Sequence, residues 1–200
     1  MTTRPALDVT ARQRREGDQL RGELLEAAAV LAATPRPVAV PSLRAVARAC
    51  GVSATAVYRH FPSQAALTHA VITVHHQAFV AAVLRADDPA GDPEVRLHRL
   101  AVGYVRWGLA NPGMYQLLFE SADQLDAESG LGDITDEVMK LASTLLAELT
   151  GTAPAEVAVL AERLWFGLHG IVSLRMHKPD QTWHVAADEA AVTVAQQILA

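Results

Sequence analysis

The residues best suited to chemistry lie in one short stretch, SATAVYRHF, at residues 53–61. Ala54, Thr55 and Ala56 are small enough to let a polypeptide backbone approach the edges of DNA bases. Thr55 can hydrogen-bond to a base edge, and any of the three can contact a thymine methyl group. The stretch therefore predicts contact with double-stranded DNA in the major groove.

The stretch ends in an aromatic and basic cluster formed by Tyr58, Arg59 and His60. Further polar residues lie before it in the chain. Tyr58, His60 and Ser42 carry donors suited to phosphate oxygens, a contact that fixes position but reads no sequence. Arg44 can reach either a phosphate or a guanine, and Arg59 belongs to the cluster itself. These residues form the part of the predicted site that faces the DNA backbone.

Two short helices must position these side chains. Ser42 is placed to cap a first helix, whose apolar residues recur at helical spacing from Leu43 onward. Gly51 suits the turn that ends this helix, and Ser53 is placed to cap the second. This is the helix-turn-helix plan, whose second helix fits the major groove. A plain helical hairpin is the alternative, but its core would normally place leucine or alanine where the aromatic and basic cluster lies.

The sequence GVSATAVYRHFPSQAAL, residues 51–67, resembles the DNA-binding domain of TetR-family transcriptional regulators, and the resemblance extends over residues 18–70. It implies base-reading positions at Ala54, Thr55 and Ala56, and phosphate contacts from Ser42, Tyr58 and His60. Gln64 departs from the family, which usually has a lysine there. A glutamine keeps a hydrogen bond but loses the charge, so the resemblance implies a weaker or less salt-dependent phosphate contact.

The predicted DNA site as a whole combines the residues named so far. Its members are Ser42, Arg44, Ser53, Ala54, Thr55, Ala56, Tyr58, Arg59, His60 and Gln64.

The charge distribution agrees with DNA contact at one end of the chain. The 200 residues carry a net charge of −5, which argues against indiscriminate binding of nucleic acid. Residues 1–62 hold nine arginines against five acidic residues, a net charge of +4. Residues 63–200 hold eight lysines and arginines against seventeen acidic residues, a net charge of −9. A basic head on an acidic body is expected if only the N-terminal part meets DNA.

Length and composition predict an all-α fold. Half of the residues are hydrophobic and alternating β-type patterns are scarce, so we expect about nine helices. We divide the chain into a flexible basic arm (1–16), a three-helix helix-turn-helix domain (17–62) and a helical effector-binding and dimerisation domain (63–200).

The single cysteine, Cys50, excludes an intrachain disulfide framework and suits a reducing cytoplasm. No stretch is apolar without interruption for the length of a membrane span.

The body carries a second resemblance. LWFGLHGIVSL, residues 164–174, resembles a Trp-x-x-x-His-Gly segment found in TetR regulators with a WHG ligand-binding domain. YVRWGLANPGMYQLLFE, residues 104–120, resembles the same group's helix, Asn-Pro break and aromatic helix. The family implies a small-molecule effector enclosed by these helices. It also implies a homodimer formed by the last two long helices.

Apolar residues with a few hydrogen-bonding groups fit such an effector pocket, although ordinary core filling is the alternative for each of them. The candidates are Tyr104, Trp107, Met114, Tyr115, Phe119, Met139, Trp165 and His169. The dimer interface is predicted in residues 154–177 and 185–199, where an apolar stripe recurs at helical spacing. That stripe consists of Leu160, Leu164, Leu168, Ile171, Val192 and Ala195.

The sequence lacks the motifs typical of metal sites, phosphate-binding loops and nucleophilic catalysis. The eight histidines include no HExxH pair, and no GxxxxGK phosphate loop or GxSxG nucleophile motif is present, so we expect no catalytic residues, no metal and no cofactor. A repressor that a small-molecule effector releases from its operator DNA is the leading hypothesis. A DNA-binding regulator controlled by a protein partner is the alternative, and a helical enzyme or metal-binding protein is third.

Overall fold

In the computed structural model of the chain, the described residues are 6–33, 41–85, 87–120 and 136–199, and among them all regular structure is helical. The described elements are nine helices: α1 (Ala6–Ala33), α2 (Leu43–Ala49), α3 (Ala54–His60), α4 (Gln64–Leu84), α5 (Pro93–Ala110), α6 (Pro112–Phe119), α7 (Asp136–Thr150), α8 (Ala158–His177) and α9 (Ala187–Ile198). The prediction of an all-α fold is confirmed.

Two helix boundaries differ from the sequence prediction. Helix α1 begins at Ala6, so residues 6–16 of the predicted flexible arm are helical, and residues 1–5 lie outside the described residues. Arginine, glutamine, glutamate and alanine are good helix formers, so the helix continues through a polar stretch without an apolar stripe. Helix α8 is predicted to begin at Pro154 but begins at Ala158. A separate turn precedes it, in which the Glu156 amide donates to the Ala153 carbonyl.

The head consists of α1, α2 and α3, and local signals define its helices as predicted. The Ser42 hydroxyl oxygen accepts the Ala45 amide at 3.2 Å, and the Ser53 hydroxyl oxygen accepts the Ala56 amide at 3.1 Å. Gly51 has a φ of +67°, the left-handed conformation that glycine adopts without steric cost. Each cap satisfies a backbone donor that the helix itself leaves without a partner. A small core then joins the three helices through Leu24, Ala28, Val46, Val57 and Phe61, all buried.

Helix α4 joins the head to the body. Ser63 caps its start, with its hydroxyl oxygen 3.1 Å from the Ala66 amide. The helix contacts α1 in the head and α5, α6 and α7 in the body. Its mean hydropathy of 1.4 and its 21 residues would also allow a membrane span by length and composition alone. Seven of its apolar side chains are buried against the rest of the protein, as in the core helix of a soluble protein.

Helix α5 is the centre of the body, where it contacts α4 and every helix from α6 to α9. Gly108 allows α8 to come close, because a Cβ atom at this position would lie 2.7 Å from Cγ1 of Val172. At the other end of α5, the Arg96 guanidinium binds the Asp87 carboxylate through two hydrogen bonds of 2.8 and 3.1 Å. This bond to Arg96 is the main cause that lowers the pKa of Asp87, and it fixes the turn between α4 and α5.

The apolar stripe predicted for dimerisation divides between two environments. Leu164, Leu168 and Ala195 are buried within one chain, so half of the predicted stripe belongs to the body's own core. Leu160, Ile171 and Val192 are half-buried. Helical periodicity cannot separate these two uses because α8 carries apolar residues around most of its circumference.

Candidate DNA interface and interior site

The outward face of α3 carries the strongest of the predicted DNA contacts. Thr55, Tyr58 and Arg59 are exposed, and the last two follow Thr55 by three and four residues, so both lie on its side of the helix. Ala54 and Ala56 are half-buried, and Val57 is fully buried in the head. Burial of Val57 fixes the rotation of α3 and thereby determines which side chains face outward.

The capping serines precede the two short helices. Ser42 and Ser53 each use the hydroxyl oxygen to accept a backbone amide of their own helix. A serine hydroxyl that accepts in this way still has its hydrogen to donate, and a phosphate oxygen is a suitable acceptor. Arg44 is exposed in the first turn of α2. The structure thus places these three predicted contacts at the N-termini of the two short helices.

Helix α1 holds the end of α3 through a contact that sequence reasoning missed. The Arg21 guanidinium lies over the ring of Phe61, 5.2 Å from its centroid, in a cation–π interaction. Phe61 is buried directly after α3, and the predicted phosphate contact His60 is half-buried beside it. A Cβ atom at Gly17 would lie 3.9 Å from Cε1 of His60, so α1 runs close to this imidazole.

Gln64 makes a bridge inside the head. Its Nε2 amide donates to the Pro41 carbonyl at 2.9 Å, and its Oε1 accepts the Leu43 amide at 3.2 Å. The side chain therefore joins the first residue of α4 to the entry of α2. The phosphate contact implied by the family resemblance stays a prediction, whereas the bridge gives this glutamine a positioning role that a lysine, which has no acceptor, would fulfil only in part.

The predicted effector residues converge in the interior of the body. Tyr104, Trp107, Met114 and Tyr115 are buried, while Phe119, Met139, Trp165 and His169 are half-buried. Phe79 of α4, which sequence reasoning did not single out, lies at their centre. Its ring makes edge-to-face contacts with Tyr104, Trp107 and Phe119 at centroid distances of 5.1–5.4 Å. Aromatic contacts of this kind favour edge-to-face geometry and define a rigid cluster.

A continuous chain of hydrogen bonds crosses this aromatic cluster. Trp165 Nε1 donates to the Tyr104 hydroxyl at 3.1 Å, the Tyr104 and Tyr115 hydroxyls lie 3.0 Å apart, and the Tyr115 hydroxyl lies 2.6 Å from Nδ1 of His169. An indole nitrogen can only donate. Every group finds a partner if Tyr104 donates to Tyr115 and Tyr115 donates to Nδ1. This assignment leaves His169 neutral, with its proton on Nε2.

Burial explains the protonation states in the chain. It raises the pKa of Tyr104 to about 12 and also raises the pKa of Tyr115, so both phenols keep their protons. Burial lowers the pKa of His169, against a smaller raising effect from the carboxylate of Glu120. A protonated His169 would reverse the chain and leave the Tyr104 hydroxyl without an acceptor. The geometry and the pKa directions therefore agree on a neutral histidine.

On one side of the interior cluster, little space remains between the described residues. Between Tyr104, Met139 and Trp165 the remaining cavity measures about 10 Å³, close to the smallest space that holds one water molecule. The structure brings seven of the eight predicted effector residues to one region, where aromatic contacts and hydrogen bonds join six of them and Met139 lines the adjoining cavity, while Met114 is buried on α6. Among the described residues, no group of three or more histidine, cysteine, aspartate and glutamate side chains is placed to hold a metal ion.

Helix α3, the second helix of the helix-turn-helix, is exposed on the head. The head is joined to a helical body whose core contains a chain of hydrogen bonds. This arrangement defines a DNA-binding regulator of the helix-turn-helix class. Comparison with protein families gives the same result for both parts. Residues 24–71 match the family described as "Bacterial regulatory proteins, tetR family", and residues 97–198 match "Tetracyclin repressor-like, C-terminal domain". The chain belongs to the TetR family of transcriptional regulators, which are DNA-binding proteins and not enzymes.

Solved structures show the same fold at low sequence identity. A TetR-like regulator from Rhodococcus sp. RHA1 is 20% identical with a TM-score of 0.70, and the match covers 88% of this chain and 92% of that one. The TetR-family regulator PfmR from Thermus thermophilus is 23% identical with a TM-score of 0.65, over 88% and 96% of the two chains. A TetR-family regulator from Streptomyces coelicolor is 17% identical with a TM-score of 0.70, over 90% and 79%. Comparison with curated proteins gave no significant match.

The Gln64 bridge leads to a first prediction. Gln64→Ala removes both side-chain hydrogen bonds, and we expect it to lower the free energy of unfolding by about 1 kcal/mol, the usual net value of a hydrogen bond at a partly exposed site. Thermal unfolding at fixed protein concentration measures the change. Gln19→Ala is the matched control, because within the described part of the chain the exposed Gln19 side chain bonds to Glu23 on its own helix and to no other element. Equal stability of the two variants would contradict the bridge.

The neutral state of His169 leads to a second prediction. Because burial lowers its pKa from 6.5, the unfolded chain takes up this proton first as the pH falls below that value. Stability is therefore fully present above about pH 6.5 and decreases below it. We expect this loss to be smaller in His169→Gln, whose amide oxygen can accept from Tyr115 without titrating. The melting temperature of both proteins across this range measures the effect.

The difference between the two pH profiles isolates His169 from His75, whose pKa burial also lowers. His69→Gln, a change at an exposed histidine of α4, is the control and should follow the wild-type profile. Parallel profiles for the wild type and His169→Gln would show that His169 does not titrate differently in the folded chain.

Proposed function

We propose that the protein is a homodimeric, cytoplasmic repressor that binds a near-palindromic operator and releases it when a small-molecule effector binds the body. One observation carries the proposal: the exposed face of α3 is joined, directly through α4, to the core of the body. Thr55 lies on the outward face of α3, and Phe79, on α4, lies at the centre of the aromatic cluster. A change in the body that moves α4 therefore also moves the DNA-contacting helix.

The head supplies both kinds of DNA contact in this proposal. Thr55 reads a base edge in the major groove, whereas Ser42, Tyr58 and Arg59 hold phosphates. The serines that cap α2 and α3 keep their hydroxyl hydrogens free, so each can donate a hydrogen bond to a DNA phosphate. A dimer presents two such heads about one helical turn of DNA apart, which explains why the operator should be nearly palindromic.

An apolar face of the body fits the dimer contact. Val159, Phe166 and Leu174 lie seven to eight residues apart on α8, and each is exposed. Trp183 and Val185 extend this face beyond the end of α8 and are also exposed. Side chains of this size rarely stay in water as a contiguous patch on a protein that has no partner. The proposed interface thus uses the outward side of α8, and not the buried half of the stripe predicted from sequence.

Release of DNA follows from two connections between body and head. Helix α4 contacts both parts, and α1 contacts α6 of the body, the helix that carries Tyr115. An effector that binds one arrangement of these helices better than another shifts the population toward the first. If that arrangement separates the two heads by the wrong distance, DNA affinity falls by the same coupling free energy.

Base readout and phosphate contact are separable by mutation. We expect Thr55→Val, which removes one hydroxyl, to weaken binding to the selected operator by about 1–3 kcal/mol and to change the preferred base at one position. Tyr58→Phe should weaken binding to all sequences to a similar extent, because a phosphate contact carries no sequence information. Selection from a random duplex library followed by fluorescence anisotropy titration measures both. The control is Thr144→Val on α7, where the hydroxyl donates to the Lys140 carbonyl of its own helix.

The dimer is tested by a charge on the proposed interface. Phe166 is 61% exposed in the single chain, and we expect Phe166→Glu to yield a monomer that retains its helical content, because two glutamates would face each other across a twofold axis. Val74→Glu is the matched control, since Val74 is 41% exposed on α4, outside the proposed interface. Light scattering at micromolar concentration gives the mass. A monomeric wild-type protein would remove the basis for a two-headed operator complex.

A further inference from the structure

An open groove of about 560 Å³ runs along the outside of the body between α4 and α5. Val95, Val102 and Trp107 of α5 form its apolar lining, together with Ala82 of α4. This volume lies within the range of small-molecule sites, whereas the cavity between Tyr104, Met139 and Trp165 measures about 10 Å³. Another cleft, of about 400 Å³, lies on the α8 face that we assign to the dimer.

Positive charge is concentrated at this groove. Arg85, Arg99 and Arg106 all line it, which makes three of the eight lysines and arginines that the chain holds after residue 62. This part of the chain has a net charge of −9, so a local excess of arginine is not a property of the body as a whole. A concave site lined by charges of one sign raises the local concentration of ligands of the opposite sign.

Acidic groups beside the groove offset part of this positive charge, and Asp87 lies within electrostatic reach of Arg99. Arg106 binds the Asp188 carboxylate at 2.6 Å, but its side chain remains 70% exposed. Glu94 lies 3.8 Å from Nε2 of His98. The His98 Nε2 atom is buried and makes no hydrogen bond within the described residues. The groove therefore combines an apolar lining, a guanidinium rim and a ring nitrogen that has hydrogen-bonding capacity.

We propose that this groove binds a small molecule with an apolar chain or ring and a single carboxylate group. The apolar part lies along Val95, Val102 and Trp107, and the carboxylate binds the arginine rim. Arginine suits this task because its planar guanidinium can donate two parallel hydrogen bonds to one carboxylate. A neutral molecule of the same shape would lack these charge-assisted hydrogen bonds.

A ligand in the groove contacts two helices that already touch. A Cβ atom at Gly103 would lie 3.2 Å from Cα of Val83, so the backbones of α5 and α4 are in close contact at the centre of the groove. Trp107 connects the groove to the interior, since its ring centroid lies 5.1 Å from that of Phe79. The groove is therefore placed to act as the effector site. This last step rests on the proposed function, whereas binding in the groove does not.

The test uses decanoate as the probe and isothermal titration calorimetry on the full chain without DNA. We expect one decanoate to bind per chain, decan-1-ol to bind at least about tenfold more weakly because it lacks the charge, and acetate to give no heat because it lacks the apolar chain. Equal affinity for decanoate and decan-1-ol would overturn the proposal.

Variants locate the bound decanoate. Arg99→Gln and Arg106→Gln should each weaken binding by about threefold to tenfold, as expected for one charge-assisted hydrogen bond at a partly exposed site. Val102→Glu should abolish binding, because it places a negative charge in the apolar lining. Lys140→Gln removes one positive charge from an exposed side chain of α7 and should have no effect on decanoate affinity. Melting temperatures show that each variant is folded, and decanoate affinity that is unchanged in both arginine variants would overturn the site.

Operator release is measured separately and distinguishes the two proposals. If decanoate binds with the expected variant pattern but leaves the operator complex intact, the groove is confirmed and its role as effector site fails. If a carboxylate releases the operator equally well from the wild type and from Arg99→Gln and Arg106→Gln, the proposed function is supported and the groove is overturned.

Discussion

The packing of α4 on both halves of the protein is the constraint on which the remaining structure depends. Its first turn is joined to the entry of α2 by the Gln64 side chain, and the helix packs on α5 in the body. Helix α4 therefore cannot move in the body without moving the frame that holds α3. Burial supplies this coupling, because close-packed side chains transmit a displacement and do not absorb it.

The interior of the body is organised by hydrogen-bond satisfaction as well as by apolar burial. Trp165, Tyr104, Tyr115 and His169 form one directed chain in which the indole N–H and both phenol hydroxyls have acceptors. A buried polar group without a partner would cost free energy, so this chain favours a single arrangement of α5, α6 and α8. Beside this chain, the cavity between Tyr104, Met139 and Trp165 measures only about 10 Å³, whereas the groove between α4 and α5 is already open.

Charge divides the molecule into two functional surfaces. In the proposed function, the basic head attracts DNA, while the acidic body repels it and so limits contact to one end of the chain. Against this background, the three arginines at the groove stand apart from both surfaces. They lie on the body, where DNA contact is disfavoured, and beside an apolar lining that a nucleic-acid backbone would not use. This combination indicates a small amphipathic anion as the ligand.

The sequence by itself determined the features that depend on near neighbours. Ser42, Gly51 and Ser53 define the helix-turn-helix because capping and positive φ involve only residues within a few positions. Tertiary structure decided which sides of the helices are buried. Phe79 is buried while Val74 is exposed, although α4 is apolar on most sides and its pattern favours neither. The Gln64 bridge and the Tyr115–His169 bond join residues that lie 21 to 54 positions apart. Such contacts depend on how whole helices pack, and no local sequence pattern encodes that geometry.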